Sequence, residues 1–240
     1  MYETWALIGA LLIVSLGAAL QGSIGFGFAV VSVPVLTLLD PEFVPVAPQI
    51  LALPMSFAAL LRERGGVDRA GVGWIIVGRV PGSLGAAVVL MFAVGRTLDL
   101  LIGGIVLVTV LILASGIHVP LNAVTRVAAG VFSGFSGTAS AIGGPPIALL
   151  YRDQTGPTVR STLGTIFSIG IVINLVVLAL TGIVDRHDLF TALILSPAAI
   201  LGFAGSSLLH RRVEGRILRI GILVMATVSA VALLLRAALI

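Results

Sequence analysis

Gln21-Gly22-Ser23-Ile24-Gly25-Phe26-Gly27-Phe28 interrupts an apolar run that otherwise extends from Trp5 to Leu39. Glycines at 22, 25 and 27 weaken a helix there and let backbones approach closely. Backbone loosened in this way is tolerated in lipid only where protein buries it or a cavity lies beside it. A related stretch follows in the second half, Ser133-Gly134-Phe135-Ser136-Gly137-Thr138-Ala139-Ser140-Ala141-Ile142-Gly143-Gly144-Pro145-Pro146. Glycine breaks in corresponding places of two halves are the sequence mark of a transporter binding site. Small residues also serve plain helix packing in membranes. The pairing of the breaks, with hydroxyls beside the glycines, favours the site.

Composition sets the class. Of 240 residues, 58% are hydrophobic and 10% charged, with a mean hydropathy of +1.20. Soluble domains carry about 25% charged residues, so the chain reads as an all-α integral membrane protein and a single membrane domain over 1–240. No polar stretch is long enough for a soluble domain, which needs about fifty residues. The Met1-Tyr2-Glu3 start lacks a basic signal region, so the first apolar segment is expected to be retained.

The absences narrow function. Without Cys there are no disulfides and no thiolate chemistry. All 14 basic residues are Arg, and a phosphate-binding loop of the Walker type needs a Lys. Nucleotide hydrolysis is therefore excluded. The net charge of +4 does not point to nucleic acid, because the arginines sit mainly in short loops between apolar spans.

Apolar segments cover roughly 5–20, 24–39, 44–61, 71–93, 98–115, 121–138, 143–151, 158–181, 188–209 and 217–239. A span needs about 20 residues, which six of them approach: 44–61, 71–93, 98–115, 158–181, 188–209 and 217–239. The pairs beside the glycine breaks are shorter, as expected of broken spans or re-entrant hairpins. Val67-Asp68-Arg69 recurs as Val184-Asp185-Arg186, Leu84-Gly85 as Leu201-Gly202 and Gly104-Ile105 as Gly221-Ile222, each 117 residues on; Ile24-Gly25 recurs as Ile142-Gly143. Matches in order at a nearly constant offset indicate two repeats, residues 1–120 and 121–240. Each holds a glycine-rich broken or re-entrant pair and three transmembrane helices.

Arginine placement decides the topology. With five segments per repeat, the loops 62–70, 116–126, 152–160 and 210–219 share one face. That face carries Arg62, Arg64, Arg69, Arg126, Arg152, Arg160, Arg211, Arg212, Arg216 and Arg219, against Arg96, Arg186 and Arg236 opposite. Cytoplasmic loops are enriched in basic residues, so the N-terminus is expected outside. Five being odd, the second repeat is inverted relative to the first. Inverted repeats with interrupted helices describe a secondary transporter.

Arg79 is the one arginine left inside a span, within Gly78-Arg79-Val80-Pro81-Gly82 and about 12 Å deep at 1.5 Å per residue. An intramembrane charge costs at least about 2.5 kcal/mol and is functional by default. A guanidinium suits oxyanions through forked hydrogen bonds. Gly78, Pro81 and Gly82 are expected to loosen the helix around it, and Pro48 and Pro54 to kink the span carrying Gln49. No Asp or Glu lies deep in a span, so a small anion is the expected substrate and no cofactor or metal is called for. His118, His187 and His210 read as loop or interface residues. The expected binding set is Arg79 with Gln21, Gly22, Ser23, Gly25, Gly27, Gln49, Gly137, Thr138, Ser140, Gly143, Gly144 and Asn174. An intramembrane enzyme would need clustered His, Asp or Glu, or a Ser with its base, and the spans supply neither. A passive anion channel or the membrane subunit of a larger complex is the alternative class, and transport by the purified chain alone separates these. The expected partners are the small anion, the lipid bilayer and further copies of the chain in a homo-oligomer.

The glycine-rich break leading to a proline, duplicated over a chain of this length, resembles the TauE/SafE sulfite-exporter family from Leu16 through the second repeat. Gly22, Gly25 and Gly27 with Pro34, and Gly134, Gly137, Gly143 and Gly144 with Pro145, stand at its two motifs. Phe26 and Phe28 depart from the denser glycine cluster of the first motif, and Pro145-Pro146 ends the second. The resemblance implies export or uptake of small sulfur-containing or related organic anions across the bacterial inner membrane. Sulfite, sulfoacetate, thiosulfate and small carboxylates all fit that description.

Overall fold

The computed structural model describes residues 3–24, 27–62, 66–93, 95–115, 117–154, 156–210 and 215–239. Among them are ten α-helices and no strand. In chain order they are α1 (Thr4–Ile24), α2 (Phe28–Leu39), α3 (Val46–Arg62), α4 (Arg69–Leu90), α5 (Arg96–Ser115), α6 (Ala123–Ser140), α7 (Gly144–Leu150), α8 (Gly156–Leu180), α9 (Arg186–His210) and α10 (Gly215–Leu239). Among the described residues six stretches are long and apolar enough to cross a membrane: Thr4–Ser23, Pro41–Leu61, Arg69–Leu90, Arg96–Ser115, Ser161–Leu180 and Arg186–Ser206. Leu12, Val77, Leu111, Leu193 and Ile200 lie on the outer surface, where lipid and not water is the compatible solvent. The chain is a multi-pass membrane protein.

Both glycine stretches break the helix, the second close to the expected residues and the first later than expected. α1 runs on through Gln21, Gly22 and Ser23, so the first pair is not two 16-residue pieces but a full span followed by a 12-residue half-helix. Gly22 survives inside the helix because α9 presses on it: an added Cβ would overlap the Ser206 side chain. The chain turns instead at Gly27, whose φ of 117° favours glycine. In the second half α6 ends at Ser140, Ala141 takes a left-handed φ of 59°, and α7 begins at Gly144. At about 1.5 Å per residue, α2 and α7 fall well short of a bilayer core.

The expectation that Gly78, Pro81 and Gly82 loosen the span around Arg79 is also corrected. α4 is continuous, and the glycines serve close packing. Gly78 and Gly82 lie against the carbonyls of Val127 and Val131, while Gly130 and Gly134 lie against those of Ile75 and Arg79. Spaced four apart on each helix, the two pairs interlock backbone to backbone. Pro48 falls in the first turn of α3, where a helix needs no N–H, so only Pro54 is an interior proline there.

The main pairings come in couples. α4 packs along α6, and α1 packs along α9; α3 meets α8, and α5 meets α10. Exchanging α1 with α6 and α4 with α9 turns the first couple into the second. Loop contacts also sort into two groups. Asp68 pairs with Arg126 at 2.6 Å, Arg152 donates to Ile117 O, and His118 faces Asp153, joining 66–68, 117–126 and 151–162. At the other ends of the helices His187 faces Glu42, and Arg236 pairs with Asp99 while donating to the carbonyls of Thr37 and Leu38.

Candidate functional site

Arg79 is the eleventh of the 22 residues of α4, halfway along the helix. Its side chain is 2% exposed. The interlock with α6 brings it beside Ser133, to which Nη1 donates at 2.6 Å. Ser133 Oγ in turn donates to Gly143 O at 2.5 Å, tying the guanidinium to the second glycine break. From α8, Asn174 Oδ1 accepts from Arg79 Nη2 at 3.4 Å and from Ser83 Oγ at 3.0 Å. Every partner is neutral. Among the described residues Nε has no partner.

Three glycines make room for this group. A Cβ on Gly137 would press on Asn174 Nδ2 and Arg79 Nη2, at 3.0 and 3.2 Å, and one on Gly143 would come within 2.8 Å of Ser133 O. Gly170 of α8 lies directly against the guanidinium, so that any Cβ there would overlap Arg79 Cζ and Nε. Sequence reasoning does not single out Gly170 or Ser83. Their signal is helical spacing: Ser83 lies four residues beyond Arg79, and Gly170 four before Asn174, each pair on one helix face.

Around the guanidinium is a cavity with an empty volume of about 540 Å³, counting the open space at its mouth. Both breaks border it, through Gln21, Gly27 and Phe28 on one side and Gly137, Ala141, Gly143 and Gly144 on the other. Gln49, Ser56 and Asn174 add polar groups, and Phe167 and Ile171 add apolar wall. Among the described residues no Asp or Glu lines it. Gln21 Oε1 accepts from Phe28 N at 3.3 Å, bracing the first turn of α2 across the break.

The structure thus brings Arg79, Gln21, Gly27, Gln49, Gly137, Gly143, Gly144 and Asn174 to one cavity. Four other residues of the expected set lie elsewhere. Gly22 faces Ser206, and Ser23 donates to Ala19 O and Ser206 O, so both belong to the α1–α9 contact. Ser140 is occupied with Ser136 O in its own helix. Thr138 is buried off the cavity wall and takes part through its carbonyl, which accepts from Gln49. Gly25 lies outside the described residues.

Arg79 is therefore a cation held by uncharged groups at the wall of a cavity that both breaks border. Among the described residues no group of acidic, His or Cys side chains could hold a metal ion. No curated relative and no solved structure matches the chain. Residues 10–233 match the family model described as sulfite exporter TauE/SafE, and the chain belongs to that family of membrane transporters.

Proposed function

We propose that the chain is a secondary transporter, working as an exporter, of a small anion such as sulfite, sulfoacetate or another organosulfur anion. The observation that carries this reading is Arg79: a charge buried halfway along a membrane-length helix, without a carboxylate, beside a cavity bordered by both glycine breaks. A charge in such a position is costly unless it is paired, and an anionic substrate supplies the pair. Asn174 and Ser133 hold the guanidinium in place and leave Nε free to donate.

Alternating access around this site is supported by the coupled pairings α4–α6 and α1–α9, which suit two repeats of opposite orientation over 1–120 and 121–240. In this reading the basic loops face the cytoplasm and the membrane is a bacterial inner membrane. Binding to the purified chain in detergent, measured for sulfite, thiosulfate, sulfoacetate and acetate, tests it. Arg79→Lys keeps the charge and loses the fork, so affinity falls with some binding left. Arg79→Gln, if monodisperse, loses binding by at least about tenfold. Unchanged affinity in Arg79→Gln removes the site. Uptake and release by proteoliposomes holding this chain alone separates a carrier from the subunit of a larger complex.

A further inference from the structure

The cavity holds a second polar group that an anion alone does not satisfy. Gln49 is 1% exposed and borders the cavity. Its Nε2 donates to Pro45 O at 3.2 Å and to Thr138 O at 3.3 Å. Both partners are carbonyls and can only accept, so the amide cannot be turned round. Among the described residues its oxygen has no donor. Ser56, seven residues on and so on the same face of α3, also borders the cavity, and its buried Oγ has no partner either.

A buried amide oxygen without a donor is costly, and the anion's own oxygens would face it lone pair to lone pair. Arg79, for its part, offers one positive charge and an unpartnered donor, Nε. We infer that the cavity takes a singly charged oxyanion that brings its own hydrogen-bond donor, its anionic oxygens on Arg79 and its donor on Gln49 Oε1, with Ser56 Oγ beside it. Hydrogen oxyanions and sulfonates bearing a hydroxyl group belong to this class. Fully deprotonated dianions and plain alkylsulfonates do not, the first for excess charge and the second for want of a donor. Sulfite and sulfoacetate belong to the class in their singly charged, proton-bearing forms. The inference rests on the anion-binding reading of Arg79 and specifies its substrate class. It also gives the chain a way to move a proton with the substrate while having no acid in the cavity.

The test is binding of 2-hydroxyethanesulfonate and of ethanesulfonate to the purified full chain. The two have the same charge and nearly the same shape, and differ by one hydroxyl. Sites built to bond a substrate hydroxyl reject analogues that lack it. The hydroxylated anion is expected to bind at least about tenfold more tightly to the wild type. Gln49→Met is expected to bring the two within about twofold. Should that variant fail to fold, Ser56→Ala, expected to shrink the ratio in part, decides in its place. Equal affinities in the wild type, both lost in Arg79→Gln, overturn the inference and leave the anion site standing. A preference that persists in both Gln49→Met and Ser56→Ala also overturns it. So does a dependence of both affinities on sodium in place of choline, which would give the free oxygens to a metal cation. If neither sulfonate nor sulfite binds the wild type, the anion-binding reading falls as well.

Discussion

Gly170 and Arg79 are in direct contact, the guanidinium lying on the bare backbone of α8 where no side chain fits. The contact decides where the charge sits, because Asn174 and Ser133 hold only the outer nitrogens. Gly170→Ala is expected to push the guanidinium off Asn174 and lower anion affinity by about tenfold or more, with the protein still folded. The same substitution at Gly73 or Gly104, where an added Cβ meets nothing, serves as the control. Equal binding in Gly170→Ala and the controls would show that Arg79 finds its place without this contact.

The four glycines between α4 and α6 give a graded series. A Cβ at Gly78, Gly82, Gly130 or Gly134 meets backbone that cannot swing aside, while one at Gly85 comes no nearer than 4.0 Å to Phe135. Alanine at any of the four is expected to cost about 1–3 kcal/mol through forced separation of the helices, read as a lowered melting temperature in detergent. Gly85→Ala is expected to be neutral or slightly stabilising, since alanine is the better helix former by about 1 kcal/mol. Anion binding should fall together with stability only in the first group, because Arg79 Nη1 reaches Ser133 across this same interface. A uniform response along the series would refute the interlock.

Much of the site is legible in the residues alone. Arg79 stands out because it is a lone charge in an apolar run, and burial of charge is expensive wherever the helix ends. Gln49 and Asn174 stand out for the same reason in milder form, as amides that must find partners in lipid. Gly22 and Ser23 are easily misplaced, because a glycine inside a helix and a glycine that ends one look alike in sequence. What separates them is the partner: Ser206 fills the space over Gly22, whereas Gly27 turns the chain. Gly170 is not legible, because its role depends on which helix lies opposite. Its spacing to Asn174 fixes only the shared face, and nothing in α8 names Arg79 as the neighbour.

Tyr151 ties the far end of α7 to the rest of the basic-loop side. Its hydroxyl donates to Asp68 Oδ2 at 2.9 Å, the same oxygen that Arg126 contacts, while Asp68 Oδ1 caps α4 through Gly71 N. Burial first, then the bond to Asp68 and its charge, push the phenol well above its ordinary value. An unfolded tyrosine ionises near about 10, so the folded form holds its proton more tightly. The contribution is complete below that pH and fades as pH rises above it toward the higher folded value. Tyr151→Phe is expected to cost about 1–2 kcal/mol at neutral pH and to blunt the loss of melting temperature above pH about 10. Parallel alkaline declines in wild type and variant would show that Tyr151 does not carry the effect.

The loop contacts make the proposed orientation testable with two cysteines. Glu42 lies by His187 at one end of the helices, and Asp153 by His118 at the other. Both are well exposed, at 70% and 61% of the side chain, so a reagent can reach each and neither substitution disturbs packing. Asp153 shares its end with Arg152, Arg126 and the loop after α3, the basic side that should face the cytoplasm. Glu42→Cys in this cysteine-free chain is therefore expected to react with a membrane-impermeant maleimide on intact cells. Asp153→Cys should react only after the membrane is opened. The reverse pattern would keep the two-sided arrangement and turn the whole protein over, which would place the basic loops outside against the charge rule. Labelling of both from one side is the more damaging result. Residues 42 and 153 lie after α2 and α7, the two half-helices, and equal access would mean that both breaks return to the same face, contrary to repeats of opposite orientation.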